Sequence, residues 1–412
     1  MLHPLILLLV SWLGFFAPGA GPGDGEPVVA WLRERARPLD PAAREASEAW
    51  AFLAPAVGEA RVVLLGEELH GVREFGELKH GLVRYLVEKQ GFDTLVLEQD
   101  SARCSELEQV LRTSEGDPRA ALASCYWCWN TGEFAALLAW IQEHNRHAER
   151  PLAFVGIDNQ GFGDAPARLR ALARSLSASE SFDPEPALAR FPASRDAYPK
   201  DDAAAVAEHA GLLAELRAAV ERAPLEGATR ADGLEAVRVL EELHGLWSAR
   251  NAQERMNRRD RHMAERTLAL VRDPGRRVIV WAHNAHVSRA LFYGGVTPLG
   301  KHLTAEVPTL VVGFYFGWGE VLLDPRARAK EGGATRVLAA PPQGSLAEVL
   351  AQVGGPAWVA DLRDVSSNEV RSFLAQPPPG HFDNYGPPPE LLGAIDLAVF
   401  VERVHPSEPA HR

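Results

Sequence analysis

"RVVLLGEELHGVREFGELKHGLVRYLVEKQGFDTLVLE", residues 61–98, decides the fold. Its first five residues, Arg61 and an apolar run of four, are too short for a helix and read as a buried strand. Phe75, Leu78, Leu82, Tyr85 and Leu86 then recur at spacings of three, four, three and one, the pattern of one helix face. Gly91 closes that helix, as the residue that most easily takes the left-handed closing conformation. "DTLVLE", residues 93–98, is a second strand. A strand, a crossover helix and another short apolar strand imply a parallel sheet covered by helices.

The rest of the chain extends this unit. "LAFVGID" (152–158), "RRVIVWAH" (276–283), "TLVVGFYF" (309–316), "AWVADLRD" (357–364) and "AIDLAVFVERV" (394–404) are further strands. From about 165 to 273 the strands stop. "AGLLAELRAAVERA" and "LEAVRVLEELHGLW" carry helical periodicity through Leu212, Leu216, Val220, Val239, Leu243 and Leu246. The expected architecture is α/β: a largely parallel sheet flanked by helices, with a helical insertion at about 165–273 acting as a lid. "AQPPPGHFDNYGPPP" (375–389) is a loop by composition.

A chain of 412 residues, 46% hydrophobic and 24% charged, buries a sizeable core and is not disordered. Its net charge of -12 argues against nucleic acid and anionic membranes as partners, and no basic cluster reverses that. Leu5 to Phe16 is an apolar stretch of signal-peptide length, followed by the small residues of "APGAG". It is too short for a comfortable span. A signal peptide at residues 1–20 is therefore expected, with an exported, periplasmic or secreted, domain at 21–412 and no stable membrane span after cleavage. An uncleaved anchor is the alternative. Export permits a disulfide, and a bridge from Cys104 to Cys125 or Cys128 is expected, with three reduced thiols as the alternative.

In parallel α/β sheets ligands gather at the carboxyl ends of strands. Glu67 and His70 follow the first strand, with Glu74 opening the next helix. Glu98 ends the second strand, Asp158 and Gln160 follow the third, and "VIVWA" runs into "HNAHVSR" with His283 and His286. A single strand-end acid is more often a helix cap, and a lone histidine more often a core residue. Four segments delivering acids and histidines to one rim is a different matter. Burying that many ionisable groups is tolerable only if they pair with one another. Glu68, by contrast, is expected to point away from the cluster.

These residues carry a resemblance. "VVLLGEELHGVREFGELKHGLVRYLVEKQGF" resembles the opening motif of the erythromycin esterase family, with its Gly-Glu-x-x-His-Gly core followed by Glu-Phe and a helix. "WCWNTGEFAALLAWIQEHN" resembles its tryptophan and Thr-x-Glu segment, "MNRRDRHMAERTL" its Arg-Asp-x-x-Met-Ala helix, and "VIVWAHNAHVSR" its His-Asn-x-His segment. The blocks run in family order over roughly residues 60–320. Leu69 stands where the family usually has Thr, and "TPLG" (297–300) where a Met-Gly pair is common; both departures bear on the substrate more than on the chemistry.

The resemblance implies a hydrolase of macrolide-like lactone esters, hence a small-molecule ester as partner. It implies His70 as the essential histidine, Glu67 and Glu98 as active-site acids, and His283 and His286 as a second histidine pair. Lys79 falls where some members carry a basic active-site residue. Arg259 and Asp260 match the helix motif bordering the cleft, and Glu74 and Lys79 are placed with them on the substrate side. Ester hydrolysis needs an activated water, a stabilised oxyanion and a proton for the leaving alkoxide. Flanking glutamates raise a histidine's pKa, so either His70 or a glutamate serves as the base. The chain has no "GxSxG", and direct water attack without an acyl-enzyme is expected. No cofactor is expected. A zinc site built from three histidines and a glutamate, serving another ester or amide, remains the alternative, as does an exported protein that binds a ligand without turnover. Oligomeric state is open.

Overall fold

A computed structural model describes residues 25–42, 47–113, 115–176, 182–292, 295–375 and 391–410. The expected signal peptide at 1–20, and the loop at 375–389 from its second residue onward, lie outside the described residues.

The strands are β1 (Arg37–Pro38), β2 (Val62–Leu65), β3 (Thr94–Leu97), β4 (Ala153–Gly156), β5 (Val278–Trp281), β6 (Thr309–Leu322), β7 (Thr335–Leu338), β8 (Ala357–Asp361) and β9 (Leu397–Val404). Among the described residues they form one sheet in the order β1-β8-β9-β6-β2-β5-β3-β4, with β7 paired to β6. From β9 to β4 every pairing is parallel. The antiparallel pairings are at the periphery, β1 with β8, β8 with β9, and β7 with β6. The fold is thus α/β with a mixed, largely parallel sheet.

The central strands are apolar on both faces because helices cover both. Val63, Leu65, Leu95, Leu97 and Ile279 face the helices Arg73–Gln90 and Gly132–His147, where they meet Phe75, Leu82, Leu137 and Ile141. Val62, Leu64, Val96, Val278 and Val280 face the other layer, including Met263 and Ala264 of the helix Ala252–Val271. Gly91, at φ +71°, ends the Arg73–Gln90 helix.

Chain order places the crevice. From β2 the chain moves two positions across the sheet to β3 and on to β4. It then returns to fill the gap with β5 and leaves on the opposite side of β2 through β6. The carboxyl ends of β2, β5 and β3 therefore meet at a topological switch point, where open α/β sheets bind ligands.

The described residues between β4 and β5 are helical or irregular. Helices Ala165–Leu176, Ala203–Arg222 and Gly227–Trp247 enclose a third apolar cluster, built from Leu169, Leu213, Val220, Val237, Leu240 and Leu243 among others. The helix Ala252–Val271 instead packs Met263 and Ala264 into the sheet's own core. All three cysteines are free thiols, which corrects the expected bridge. Cys104 is buried in the main core, and Cys125 turns its Sγ toward the Ala121 carbonyl at 3.9 Å. Among the described residues no helix is long and apolar enough to cross a membrane.

Candidate active site

Main-chain bonds continue past the strand ends and carry the polar residues with them. Gly66 N donates to Val312 O and Glu68 N to Phe314 O, extending β2 along β6. Asn284 N donates to Glu67 O, and Glu98 N to Trp281 O. Three strand ends are thereby held in register before any side chain is considered.

Two glycines in this region have no substitute. A Cβ on Gly66 would lie 2.0 Å from Asn284 Oδ1, and that amide side chain bridges to Phe314 O at 2.9 Å. Gly71, directly after His70, has φ +79°, and a Cβ there would meet Leu322 O at 2.5 Å. Both glycines of the Gly-Glu-x-x-His-Gly core are thus fixed by close approach of a neighbouring segment.

Glu67 is gripped from several sides. Its Oε1 meets His70 Nδ1. Its Oε2 accepts from Lys79 Nζ at 2.5 Å and from Trp281 Nε1 at 2.9 Å. Lys79 is 0% exposed and sits over the Trp281 ring at 4.5 Å. Burial pushes the Glu67 carboxyl up, but Lys79 and His70 outweigh it and hold it at about 2. Burial lowers Lys79 to about 8 against the pull of Glu67 and Glu98. At neutral pH the pair is therefore ionic. Burial lowers the pKa of His70, but its hydrogen bond to Glu67 and the charges of Glu67 and Glu98 leave it raised.

A second network lies across the cleft. Arg259 Nε and Nη2 make a bidentate pair with Asp158 at 2.8 and 2.7 Å, and Nη2 also reaches Glu98 Oε1 at 2.7 Å. Glu98 Oε2 accepts the main-chain N–H of His283 at 2.9 Å. Burial raises the Glu98 pKa, but His286 and Arg259 outweigh it and hold the group well below the usual carboxylate range. His286 Nδ1 lies 2.8 Å from Asp260 Oδ1, which also accepts Leu299 N at 2.9 Å. His286 Nε2 is 3.4 Å from Glu98 Oε1 and 3.1 Å from Arg259 Nη1. Burial and Arg259 oppose protonation of His286, yet two carboxylates prevail and raise it to about 10.

His283 stands between the networks, its ring centroid 5.3 Å from that of His70. Its Nδ1 accepts from Ala285 N at 3.1 Å, which fixes the Nε2–H tautomer. Burial, then the nearby charge of His70, pushes it down to about 3. Trp127 closes the far side of His70 edge-on, with centroids 6.1 Å apart. The same segment is tied to the sheet by Trp129 Nε1 on Glu98 O at 3.1 Å and Tyr126 OH on Asp158 O at 3.0 Å.

The structure therefore brings Glu67, His70, Lys79, Glu98, Arg259, Asp260, His283 and His286 together. It does not bring Glu74. Both oxygens of Glu74 bind His405, at 2.9 Å to its N and 2.6 Å to its Nδ1, so its placement among substrate-side residues is corrected. The helix that carries it turns Lys79 toward Glu67 and its first residues toward the chain's C-terminal segment. Glu68 points away, its Oε2 accepting Phe316 N at 3.4 Å. Sequence reasoning gave no role to Trp281, Asn284 or Trp127. Trp281 reads as one more strand residue, although a buried indole N–H beside a strand end needs an acceptor.

Among the described residues no three histidine, cysteine or carboxylate side chains converge with metal-ligand geometry. Arg259 occupies the centre of the second network, where its charge opposes a cation. The Cys128 thiol is pushed well up by burial and by the Glu67 and Glu98 charges, and Cys125 up to about 11, so neither is a ready thiolate.

The family model described as erythromycin esterase matches residues 87–386, taking in Glu98, Asp158, Arg259, Asp260, His283 and His286, with Glu67 and His70 upstream of the matched span. The putative hydrolase YbfO of Bacillus subtilis is 21% identical over 99% of this chain and 98% of its own length. Erythromycin esterase type I of Escherichia coli is 31% identical over 26% of each chain, so the chain matches only about a quarter of that relative. A substituted form of the erythromycin esterase EreC, solved in an open conformation, superposes with a TM-score of 0.66 at 20% identity, over 89% of this chain and 96% of that one, a likeness of fold. With a family model matched over well more than half its length, the chain belongs to the erythromycin esterase family.

Proposed function

We propose that the cleft hydrolyses a carboxylic ester of a small molecule, a macrolide-like lactone being the first class to test, by direct attack of water. The observation that carries this reading is the Lys79–Glu67–His70 relay. Glu67 stays ionised, holds His70 by Nδ1 and so fixes which ring nitrogen remains for the cleft. His70 Nε2 takes a proton from water as the water oxygen attacks the ester carbonyl. His283, neutral and carrying its proton on Nε2, donates to the oxyanion, as a neutral imidazole can where burial suppresses its charge. When the tetrahedral intermediate collapses, the His70 imidazolium returns its proton to the leaving alkoxide. Arg259, with Asp158, Glu98 and Asp260, holds His283 and His286 in place. The donor-rich centre of that network supports a mechanism without metal.

The N-terminal apolar stretch supports export of the protein, and mass spectrometry of protein from its native host tests that: a mature start near Gly21 is expected.

The activity is tested with purified protein on p-nitrophenyl esters and erythromycin, comparing His70→Ala with Glu68→Ala and recording thermal melts alongside. Loss of His70 should lower kcat by about 10²–10⁴, the usual size of a general acid–base contribution, with the fold retained. Equal activity in the two variants, or a His70 defect explained by unfolding, overturns the assignment. The pH profile should be bell-shaped. Its acid limb lies above the ordinary histidine range, because His70 must lose its proton to act, and its alkaline limb lies near 8, where Lys79 loses the charge that holds Glu67.

A further inference from the structure

We infer that the C-terminal strap, residues 405–410, is a positioning device for His70, latched in place by Glu74 through His405. The inference rests on the reading of His70 as the catalytic histidine. It gives a role to Glu74, which lies in the opening motif yet stays outside the cleft.

The strap runs between two loops and bonds to both. On one side Ser407 N donates to Gly71 O at 3.0 Å, Arg73 N donates to His405 O at 3.0 Å, and Pro406 forms an antiparallel bridge with Val72. On the other side Gly132 N donates to Glu408 O at 2.6 Å and Ala410 N to Asn130 O at 3.2 Å, with Pro409 bridged to Thr131. Glu408 N also donates to Glu133 Oε1 at 3.1 Å.

The first loop carries His70, and the second follows Trp127 and Trp129. Gly71 O is held twice, by Ser407 N and by Leu322 N at the end of β6. The residue directly after His70 is thereby wedged between the sheet and the strap. Trp129 is bonded to Glu98 O, and Trp127 meets the His70 ring edge-on. The strap thus sets the spacing between the histidine and its aromatic wall.

The strap enters straight from β9, whose last residue Val404 is buried. Its other ties are the main-chain bonds above, the bond from Glu408 N to Glu133 Oε1, and an ion pair from Arg73 Nη2 to Glu408 Oε1 at 3.3 Å. Glu74 is different. Its carboxylate is nearly buried and binds the His405 main chain and ring together. One side chain in the first turn of the Arg73–Gln90 helix therefore fixes where the strap begins.

The test uses the full chain with Glu74→Ala, Glu74→Gln and Ser407→Pro. The last removes one N–H, the donor to Gly71 O. Measured are kcat and KM on one hydrolysable ester, the pH profile, thermal melts, and the titration of the His70 imidazole by NMR. Misplacing a catalytic group by a fraction of an ångström is enough to slow turnover, so Glu74→Ala should lower kcat about tenfold with KM within about twofold. The His70 titration and the acid limb should both move toward the ordinary histidine value, because burial is opposed there by the hydrogen bond and charge of Glu67 and the charge of Glu98, whose spacing to His70 would relax. Glu74→Gln, which keeps an acceptor, should recover most of the rate, and Ser407→Pro should repeat the defect at smaller size. If Glu74→Ala does not fold, Ser407→Pro decides alone.

A folded Glu74→Ala or Ser407→Pro protein with wild-type kcat and an unmoved His70 titration overturns the inference, even while His70→Ala abolishes hydrolysis. A shifted His70 titration in a protein that hydrolyses no ester supports the strap and overturns the proposed activity instead.

Discussion

His286 at the sheet edge and a pair of histidines in the helical insertion are kept in opposite charge states. At the sheet edge His286 is surrounded by Asp260 and Glu98 and is raised to about 10. In the helical insertion His209 and His244 share one hydroxyl, with Tyr198 OH 2.7 Å from each Nδ1. Phe191 and Trp247 pack around them. There burial, then the nearby His244 charge, pulls His209 down to about 4, while burial and Arg258 lower His244. A phenol has one proton, so it donates to one imidazole and accepts from the other, and the two rings carry opposite tautomers. Burial that paired carboxylates do not outweigh keeps a histidine neutral. Burial with paired carboxylates makes it a charge that chemistry can use.

Removing the counter-charge should break the first cluster hardest. Arg259→Met leaves Asp158 and Glu98 buried without their guanidinium. It should cost about 3–5 kcal/mol, the range for breaking a buried pair, together with activity, as read by urea denaturation and ester hydrolysis. A cost no larger than that of a surface substitution would show that charge pairing does not hold the cluster.

The insertion should respond less. Tyr198→Phe keeps the ring and leaves two imidazole nitrogens without their partner, which costs about 1–3 kcal/mol. Its kcat should match the parent, since the insertion cluster has no part in the proposed reaction. A kcat loss with unchanged stability would erase the distinction between the two regions.

Stability should tilt with pH in opposite directions for the two clusters. The folded-state pKa of His286 is raised from 6.5 to about 10, so its contribution is complete below 6.5 and is lost as pH rises toward 10. That of His209 is depressed from 6.5 to about 4, so its neutral packing favours the fold above 6.5 and is eroded as pH falls toward 4. Denaturation series across that range should show His286→Asn flattening the alkaline slope and His209→Phe the acid one. The same slope in both variants would refute the assignment of charge states.

Glu68→Ala should have the smallest effect, kcat within about twofold. Burial raises this carboxyl to about 8 despite the bond from Phe316 N, so at neutral pH it has little charge to lose. A drop comparable to that of His70→Ala would move Glu68 into the reaction.

The sequence by itself determined the elements whose periodicity is local. The apolar runs at Val62–Leu65, Thr94–Leu97 and Val278–Trp281 read as buried strands and Gly91 as the close of a helix, and so they fold. It also showed that acids and histidines follow four strands. The edge strands β1 and β7 were not legible, because two or four residues carry no period. Only tertiary structure decided the partners. Asp158 meets Arg259 across 101 residues, and Glu74 meets His405 across 331. Spacing in the chain says nothing about such contacts, because they exist only once sheet order is set. The same holds for charge: His283 and His286 are three residues apart and nearly equally buried, yet one is held neutral and the other protonated. An imidazole's pKa follows the carboxylates and donors within a few ångströms of it, and packing alone delivers those.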